Sequence, residues 1–523
     1  MHAALRSKDA KPMLVAAILL FLAKAVFIVA TPLRSLVPSQ WLIDDSFIVM
    51  RVARNVALGL GFSFDGMHPT TGVSMLWTYL TSLNHVLFSR DWAVKATLLE
   101  STLCGTIATV IVFAVALRFG GTFAAWITFC LASLMPVLFF NAMNGMETAL
   151  FTLLLLLAFT SVALPGSTRP STRGAVAGAC AGLALLARPD AIFAIAALLA
   201  LYAWRFLRNR SERQSIIKES LAFLIAAGAL FGLSMLWHLW QTGSLLADNQ
   251  IGRRAIAFEK HGLDPYVSVP LRARATISAW NFFELEKLWT LALGSSLLGL
   301  LALLWAMAQE KSRELALVTG IYLLLFCGTL VLYQWYFPDF HGLRYLNTGA
   351  HLILVFLGVF LASLQLPVWR RTILVIVVAT MLGLSWYRYF DMARRPVWAA
   401  NMGLFGQRSE DRLVSFWSTM EWAKEELPAG TVVALRDHGR FAFFTGLPVQ
   451  DLAGILDPGI LEAKRESNLK AYLAEKKATY IYLPAPDERT GGIYRALHDA
   501  LELEPVEDAP VQEMTGFVLY RIR

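Results

Sequence analysis

Charged residues and cysteine are both scarce in this chain of 523 residues. Charged side chains make up only 16% of the sequence, whereas 57% of the residues are hydrophobic, and the mean hydropathy is +0.54. A water-soluble protein cannot hide that much apolar surface, so the composition excludes a soluble enzyme. It also excludes an intrinsically disordered chain. The four cysteines lie inside apolar segments, which argues against a disulfide framework or a cysteine metal site. The sequence therefore predicts a membrane protein.

The charges that are present are distributed unevenly. Residues 391–523 contain 16 basic and 20 acidic residues, about 27% of that segment, whereas residues 1–390 contain 30 basic and 18 acidic residues, about 12%. This contrast predicts a membrane domain at 1–390 and a water-facing domain at 391–523. Because the net charge of +8 sums two parts of opposite sign, the high pI gives no support to nucleic acid as a partner.

Twelve mostly apolar segments are candidates for membrane-spanning helices, which need about 20 such residues. They are roughly 13–31, 72–89, 93–117, 122–140, 145–163, 174–187, 189–207, 219–241, 287–308, 315–333, 349–366 and 372–390. The first segment has no cleavage site of small residues after it, so we expect it to be retained as an anchor.

Basic loops indicate which segments cross. Short basic loops stay in the cytoplasm, and the richest is 205–218, with further pairs at 169/173, 311/313 and 370/371. These loops share one side if every segment from 145 onward crosses once. Eleven crossings then place the charged tail on the opposite, outer side, and the polar segment 72–89 is the one expected to be re-entrant or peripheral. We predict 11 transmembrane helices.

Two adjacent carboxylates, Asp44 and Asp45, follow the first span on the predicted outer side. Acids next to a membrane are costly unless they bind something. One of them could act as a general base or hold a metal while the other orients it. Alternatively, one of them is the N-cap of the following helix. The sequence leaves both interpretations open.

Other polar residues on the predicted outer face form a candidate substrate-binding set. Arg188 and Arg344 depart from the rule that basic residues lie on the cytoplasmic side, which suggests that they bind phosphate or carboxylate. Glu147 has an alternative interpretation, because an acid in the first turn of a helix interacts favourably with the helix dipole. Arginines can neutralise the charge of a phosphate leaving group, and a carboxylate can take the proton from an attacking hydroxyl. The full set is Arg51, Arg54, Asn55, His68, Glu147, Arg188, Asp190, Asn249, Lys260, His341, Arg344 and Tyr345.

Short motifs in the chain follow the order found in one superfamily of membrane enzymes. They are Asp44-Asp45, Thr70-Thr71-Gly72, Gly145-Met146-Glu147-Thr148, Arg188-Pro189-Asp190, Trp240-Gln-Thr-Gly243 with Asn249, Arg344-Tyr345, and Asp437-His438-Gly439 with Asp451-Leu452-Ala-Gly454. With them the chain resembles the multi-span GT-C glycosyltransferases, in particular the polyprenyl-phosphate-sugar enzymes of the mycobacterial arabinofuranosyltransferase type. It departs from that pattern at Ala247-Asp248-Asn249-Gln250, where the family has Pro and Thr.

The resemblance implies a polytopic α-helical, GT-C-like membrane domain with a C-terminal soluble α/β domain. It implies inverting transfer of a sugar from a polyprenyl-phosphate donor to a hydroxyl on a cell-envelope glycan or protein acceptor. Arabinofuranose is the first choice of sugar, with a hexose or another pentose as alternatives. Asp44 or Asp45 would be the base, and Arg188, Arg344 and Lys260 would contact phosphate. The implied location is a bacterial inner (plasma) membrane, with the site and tail facing the periplasm or cell exterior.

Cofactor, tail and rival functions complete the expectations. No cofactor is certain, and a divalent cation remains open because the sequence shows no closed ligand set. In the tail, strand-like runs at 431–435, 480–483 and 517–520 alternate with helix-like runs at 410–427, 457–476 and 491–502, which predicts an α/β fold with a partly parallel sheet.

The alternative functions are an envelope polysaccharide ligase or polymerase, a polytopic transporter, and a non-catalytic assembly subunit. A transporter is disfavoured because Lys24 and His238 are isolated and no repeat is visible.

Overall fold

The computed structural model describes most of the chain. The described residues are 10–36, 42–164, 168–252, 289–333, 342–393, 410–436, 438–484, 492–509 and 517–523. Two predicted site residues, Lys260 and His341, lie outside these ranges, as does Asp437 of the tail motif.

The chain forms two compact units, each built from separate stretches of sequence. The first, called the helical unit, comprises Met1–Thr31, Thr97–Ser234 and Asp264–Asp391. The second, called the mixed unit, comprises Pro32–Ala96, Met235–Leu263 and Met392–Arg523. The last junction between them falls at the predicted boundary after residue 390, but the tail groups with two earlier stretches. The division into domains at 1–390 and 391–523 stays a prediction.

Helices account for all of the regular structure described before the tail, apart from a short 3₁₀ turn at Arg210–Glu212. They are α1 (Ala10–Ala30), α2 (Leu33–Leu36), α3 (Asp44–Ala57), α4 (Met75–Leu87), α5 (Arg90–Leu134), α6 (Pro136–Asn141), α7 (Thr148–Ala163), α8 (Pro170–Ala187), α9 (Ala191–Arg208), α10 (Arg213–Thr242), α11 (Trp289–Ala308), α12 (Arg313–Tyr333), α13 (Gly342–Ser363) and α14 (Val368–Ala393).

The helix positions match the hydropathy pattern of the sequence. Every predicted span overlaps one of these helices, and α5 contains the span 93–117 and most of 122–140, whose last residues lie in α6. Between those two spans the helix is broken at Gly121, where φ is 74° and ψ is −170°. Only glycine adopts that backbone conformation without strain. The gap that the sequence places between the two spans therefore corresponds to a real break.

Helix α4 explains why segment 72–89 is unlike the other apolar segments. It has 13 residues, so it is about 20 Å long at 1.5 Å per residue, whereas the hydrocarbon core of a bilayer is about 30 Å thick. Its Thr78 and Thr81 are completely buried, while Val86 and Leu87 are 65% and 70% exposed. Apolar residues outside and polar residues inside are typical of a helix that lies at a membrane surface. The re-entrant or peripheral position of segment 72–89 stays a prediction.

Several helices are suited to crossing a membrane. Judged by length and composition, and within the described residues, six qualify: Ala10–Ala30, Arg90–Leu134, Ala191–Arg208, Arg210–Thr242, Arg344–Ser363 and Val368–Tyr387. Two shorter apolar stretches, Thr148–Ala163 and Leu297–Ala308, accompany them. The protein is therefore a multi-pass membrane protein, and the figure of 11 crossings stays a prediction.

A buried ionic network joins four helices of the helical unit. Arg173 of α8 pairs with Glu219 of α10, which is 1% exposed. Arg205 of α9 lies 3.7 Å from Glu219 and also pairs with Glu314 of α12. Its guanidinium donates a further bond of 2.8 Å to the Val162 carbonyl. Charges this well buried need such partners, so two of the arginines that mark the predicted cytoplasmic side also hold the helices together.

The tail folds as an α/β structure. Its elements are α15 (Glu410–Glu426), β1 (Val432–Leu435), α16 (Gly439–Thr445), β2 (Val449–Asp451), α17 (Gly459–Arg465), α18 (Leu469–Glu475), β3 (Ala478–Pro484), α19 (Gly492–Ala500), β4 (Leu503–Pro505) and β5 (Phe517–Ile522). The sheet order is β2-β1-β3-β5-β4. Strand β1 is parallel to β2 and β3, and β5 is antiparallel to β3 and β4. The predicted alternation and partly parallel sheet are confirmed, while the sequence missed the three-residue strands β2 and β4.

The core of the tail lies between the sheet and its helices. Ala434 and Ile481 of the central strands are fully buried, as is Leu497 of α19, and Leu473 of α18 is 1% exposed. The apolar residues of the helices thus cover a sheet that is itself apolar, as the two-layer rule requires. A polytopic helical membrane protein with a C-terminal α/β region is the architecture that the sequence predicts.

The predicted topology has a direct test. A reporter enzyme that is active only after export, fused behind Arg523, should be active in intact cells because the basic loops favour an outer tail. A second fusion after Leu164, in the loop that precedes the basic residues 169 and 173, should be inactive. An active cytoplasmic reporter behind Arg523 would contradict the 11-crossing topology.

Candidate functional site

Asp44, in the mixed unit, is held by the tail. Helix α3 begins at Asp44, and its N-cap residue is Ile43, whose side chain makes no capping bond. The Asp44 carboxylate instead accepts the backbone N–H groups of Gly439 (2.8 Å) and Arg440 (2.9 Å), the first two residues of α16. Asp44 therefore caps a tail helix that lies almost 400 residues away in sequence. Asp45 lies beside it, half-buried in the first turn of α3.

The close approach of two segments of the chain explains why glycine stands in the Asp-His-Gly motif. A Cβ atom at Gly439 would collide with the backbone oxygen of Asp44. Next to it, the Arg440 guanidinium donates a bond of 2.5 Å to the Leu42 carbonyl. A larger residue at position 439 would separate the carboxylate of Asp44 from the helix that it caps. The motif therefore serves to join the tail to the start of α3.

The predicted ligands on α3 bind backbone carbonyls within the mixed unit. Arg51 donates to Phe64 (3.2 Å) and to Gly446 (3.0 Å), and Asn55 donates to Ser63 (2.9 Å) and to Phe64 (3.1 Å). Both side chains are buried, and burial lowers the pKa of Arg51 to about 10. These contacts order the loop after α3 and the turn after α16. A role of Arg51 and Asn55 in substrate binding stays a prediction.

A crevice of the mixed unit is lined by residues from three motifs. The His68 Nδ1 atom lies 2.6 Å from Asp65 Oδ2, and His68 is half exposed. Asp248 accepts bonds from the Thr71 backbone N–H (2.7 Å) and the Thr70 hydroxyl (3.2 Å). Asp65, His68, Thr70 and Asp248 line an open crevice of about 350 Å³ together with the loop after β2. Burial raises the pKa of Asp248, although the two bonds from Thr71 and Thr70 oppose the change.

The loop after β2 is organised by Asp451. Its carboxylate accepts the backbone N–H groups of Ala453 (2.6 Å), Ile455 (2.6 Å) and Leu456 (2.7 Å). The Leu456 carbonyl in turn accepts a bond of 2.9 Å from the Thr70 hydroxyl. Asp451 is thus a turn-forming residue.

In the helical unit, Arg188 lies at the centre of a buried cluster. Its guanidinium pairs with Asp190 at 2.5 Å and with Glu147 at 3.3 Å. It also lies over the rings of Tyr345 (4.0 Å to the centroid) and Phe151 (5.3 Å). Arg188 is 5% exposed and Glu147 is 6% exposed. The cluster joins three motifs that are separate in sequence.

Arg344 belongs to the same cluster. It is 5% exposed, and its Nη2 donates a bond of 3.1 Å to the hydroxyl of Tyr345. One helical turn further along α13, the Asn347 amide donates a bond of 2.8 Å to the Thr152 hydroxyl of α7. Two arginines and two carboxylates thus share one buried polar region whose formal charges cancel. A phosphate group that bound to Arg344 would add a further negative charge to this region.

The Arg188 cluster gives a stability prediction. Glu147→Gln keeps the size of the side chain but removes the charge that faces Arg188. Hydrogen bonds to charged groups are worth about 1.5–3 kcal/mol, and Arg188 keeps Asp190, so we expect a loss of about 1–3 kcal/mol. Thermal unfolding of the purified variant in detergent measures the change. An unchanged midpoint would show that Glu147 adds nothing to the cluster.

The structure brings the predicted residues together in two groups. One, in the helical unit, contains Glu147, Arg188, Asp190, Arg344 and Tyr345. The other, in the mixed unit, contains Asp44, Asp45, Arg51, Arg54, Asn55 and His68, with Asn249 following Asp248. Among the described residues no group of three or more His, Cys, Asp or Glu side chains is arranged to hold a metal ion, so a divalent cation stays an untested expectation.

A further polar region lies inside the helical unit, where the sequence suggested an isolated lysine. The Lys24 ammonium is 3.5 Å from the Phe139 carbonyl and 3.9 Å from the centroid of that ring. It lines a cavity of about 20 Å³ with Ser133 and His351, enough for about one water molecule. Lys24 is therefore a satisfied buried lysine. Its polar neighbours could not be found from sequence because they come from distant helices.

Three comparisons with known proteins bear on the fold. Among curated protein sequences there is no significant match. A family model described as a domain of unknown function (DUF8728) matches residues 397–514. ArnT from Cupriavidus metallidurans bound to undecaprenyl phosphate is similar in structure, with a TM-score of 0.55 and 14% identity over 96% of this chain and 97% of that chain. The chain has a GT-C fold.

An oligosaccharyltransferase shares the GT-C fold with it. The enzyme from Archaeoglobus fulgidus, tethered to an acceptor peptide, gives a TM-score of 0.54 and 12% identity over 90% of this chain and 69% of that chain. The oligosaccharyltransferase AglB from Archaeoglobus fulgidus, in complex with an inhibitory peptide and a dolichol-phosphate, gives a TM-score of 0.53 and 11% identity over 89% of this chain and 69% of that chain. At this level of identity the likeness establishes the fold, and the predicted GT-C architecture is confirmed.

Proposed function

We propose that the protein is an inverting glycosyltransferase that takes its sugar from a polyprenyl-phosphate donor. The observation that carries the proposal is the buried cluster of Arg188, Arg344, Glu147 and Asp190, which unites three motifs inside a GT-C fold. ArnT and AglB have the same fold, and their structures contain undecaprenyl phosphate and a dolichol-phosphate. A lipid-phosphate substrate suits an enzyme that lies at a membrane.

Within the cluster, the two arginines have different roles. Arg188 already pairs with Glu147 and Asp190, so its charge is balanced and it holds the cluster in shape. Arg344 is buried at the start of the Arg-Tyr motif and donates a bond to the Tyr345 hydroxyl. Following the motif resemblance, we assign the donor phosphate to Arg344 and treat Arg188 as a positioning residue. This revises the sequence-based hypothesis that both bind phosphate directly.

The acceptor hydroxyl needs a base. Both oxygens of Asp44 accept backbone N–H groups of α16, so the position of this carboxylate is set by the tail. We therefore assign proton abstraction to Asp45 and the docking of α16 to Asp44. In the reaction, the acceptor oxygen attacks the anomeric carbon from the side opposite the phosphate. Its proton passes to Asp45, the bond from carbon to phosphate oxygen breaks, and polyprenyl phosphate leaves.

The motif resemblance favours arabinofuranose as the sugar and a cell-envelope glycan as the acceptor. A peptide acceptor is kept as an alternative because an acceptor peptide is bound in the archaeal oligosaccharyltransferase. The likeness to that enzyme also keeps transfer of a whole glycan, the reaction of a ligase, as the second candidate. The periplasm or cell exterior is the proposed location of the reaction.

A donor panel tests the proposal. Purified protein in liposomes is incubated with radiolabelled polyprenyl-phosphate arabinofuranose, with other pentoses and hexoses on the same carrier, or with a labelled polyprenyl-diphosphate glycan. Each donor is tested with an oligosaccharide or a peptide acceptor. We expect release of polyprenyl phosphate with one sugar, dependent on acceptor and with inversion at the anomeric carbon. Release from a polyprenyl-diphosphate glycan alone would favour the ligase, and no release from any donor would contradict the proposal.

A further inference from the structure

A second crevice in the mixed unit, distinct from the one beside Asp248, combines positive charge with aromatic rings. It is lined by residues 32–34, Arg90 and Asp91, and by residues of α15 and Phe444, and its volume is about 370 Å³. It is separate from the residues assigned above to donor and acceptor chemistry. That volume is in the range of small-molecule sites. Its composition indicates what it binds.

Basic residues outnumber acidic residues around this crevice. Arg34 and Arg90 line it with Lys424, against the acids Glu421 and Asp91. Arg34 pairs with Glu421, and Arg90 lies 3.1 Å from Asp91, with all four side chains at least 41% exposed. Exposed pairs of this kind contribute little stability and exchange readily for another anion.

Arg54 adds to the excess of positive charge near the crevice. Burial lowers the pKa of Arg54, and so does the repulsion between its charge and that of Arg90. Arg54 donates a long bond of 3.5 Å to the Phe443 carbonyl. An anion bound beside Arg90 would relieve this repulsion. The crevice is thus complementary to a negatively charged group.

Aromatic rings form the wall behind the arginines. The Arg34 guanidinium lies 5.6 Å from the Trp417 ring, and that of Arg90 lies 5.3 Å from the Phe444 ring. The two rings touch edge to face at 4.9 Å. Tryptophan and arginine are typical of the level of the lipid headgroups, where one end of each side chain is apolar and the other is hydrated.

Two of the arginines of the crevice lie next to the ends of candidate membrane-spanning helices. Arg34 follows the last residue of α1 by four positions, and Arg90 is the first residue of α5. Just before Arg90, Leu87 and Phe88 are 70% and 48% exposed, and just after it Trp92 is 51% exposed. Such apolar side chains beside two arginines fit acyl chains next to their headgroups.

We propose that this crevice binds the phosphate headgroup of an anionic phospholipid of the surrounding bilayer. The arginines would contact phosphate oxygens, and the apolar residues around positions 87–92 would contact the acyl chains. The bound lipid would fix the tail helix α15 at the membrane surface. The inference does not depend on the sugar or on the acceptor of the proposed reaction.

Native mass spectrometry of the full-length protein in detergent tests this site. The probe is phosphatidylglycerol, with phosphatidylcholine as the neutral comparison. We expect the wild type to retain phosphatidylglycerol in preference. A basic residue near an anionic lipid is worth about a fivefold change in affinity, so Arg34→Gln with Arg90→Gln should weaken binding about 25-fold. The control Arg521→Gln, an exposed arginine on β5, should leave it unchanged.

A gain-of-binding variant keeps the test decisive if the double variant folds poorly. Glu421→Gln frees Arg34 from its carboxylate partner and should tighten phosphatidylglycerol binding several-fold. Equal phosphatidylglycerol affinity in the wild type and in Glu421→Gln would overturn the proposal. Displacement of phosphatidylglycerol by undecaprenyl phosphate, with the same loss of affinity in the arginine variants, would instead assign the crevice to the donor lipid and would overturn it as well.

Discussion

Asp45→Asn is expected to lower kcat by about 10²- to 10⁴-fold, the usual range for the loss of a general base. The amide keeps the shape of the side chain but cannot accept the proton of the acceptor hydroxyl. The KM for the donor should change little, because the phosphate is bound by other residues. Steady-state kinetics with the donor identified in the panel measure both constants.

The neighbouring acid provides the matched control. Asp44→Asn keeps one acceptor oxygen but turns an N–H group toward a backbone N–H of α16. We expect a loss of stability of about 1–3 kcal/mol and a smaller change in kcat than for Asp45→Asn. Loss of turnover in Asp44→Asn alone would transfer the role of base to Asp44. Near-normal turnover in both variants would show that the pair is structural.

Arg344→Lys is expected to raise the donor KM about tenfold although the charge is kept, and Arg344→Ala should impair donor use about 10²-fold. A guanidinium grips two phosphate oxygens through parallel hydrogen bonds, and an ammonium group cannot reproduce that fork. A hydrogen bond to a charged group is worth about 1.5–3 kcal/mol, which corresponds to these factors. Donor KM and kcat are measured in detergent and in liposomes.

The alternative is that Arg344 anchors α13 at the lipid headgroups. Lysine would then serve equally well, because it extends to the headgroups as readily as arginine does. Wild-type constants for Arg344→Lys in both settings would therefore retire the phosphate role. The burial of Arg344 and its bond to Tyr345 favour the phosphate role, because an anchoring arginine would be exposed to headgroups.

Much of the fold could be predicted from the sequence because membrane helices depend on local composition. In a bilayer, a run of about twenty apolar residues forms a helix because its backbone polar groups must pair within the segment. Gly121 marks a break that a residue with a Cβ would resist. Helix α4 is also predictable, since polar residues interrupt its apolar pattern. The short strands β2 and β4 were missed because three residues carry no periodicity of their own.

The members of the candidate site could be chosen from the sequence, but their pairings could not. The motif order identified Glu147, Arg188 and Asp190, yet only the packing of helices shows that the two acids neutralise the arginine. Likewise, nothing near Asp44 in the sequence indicates that its partner is Gly439. Asp65 was not selected from the sequence, and nothing around Asp248 in the sequence indicates that its partners are Thr70 and Thr71.

The central claim is that this chain moves a sugar from a polyprenyl-phosphate donor with Asp45 as the base. The most direct measurement is a single turnover in liposomes with the labelled donor found in the panel, comparing the wild type with Asp45→Asn. The account predicts that the wild type transfers label to the acceptor and releases one polyprenyl phosphate per sugar, while the variant binds the donor but transfers almost none. Label that stays on the lipid with the wild type, or equal transfer by both proteins, would contradict it.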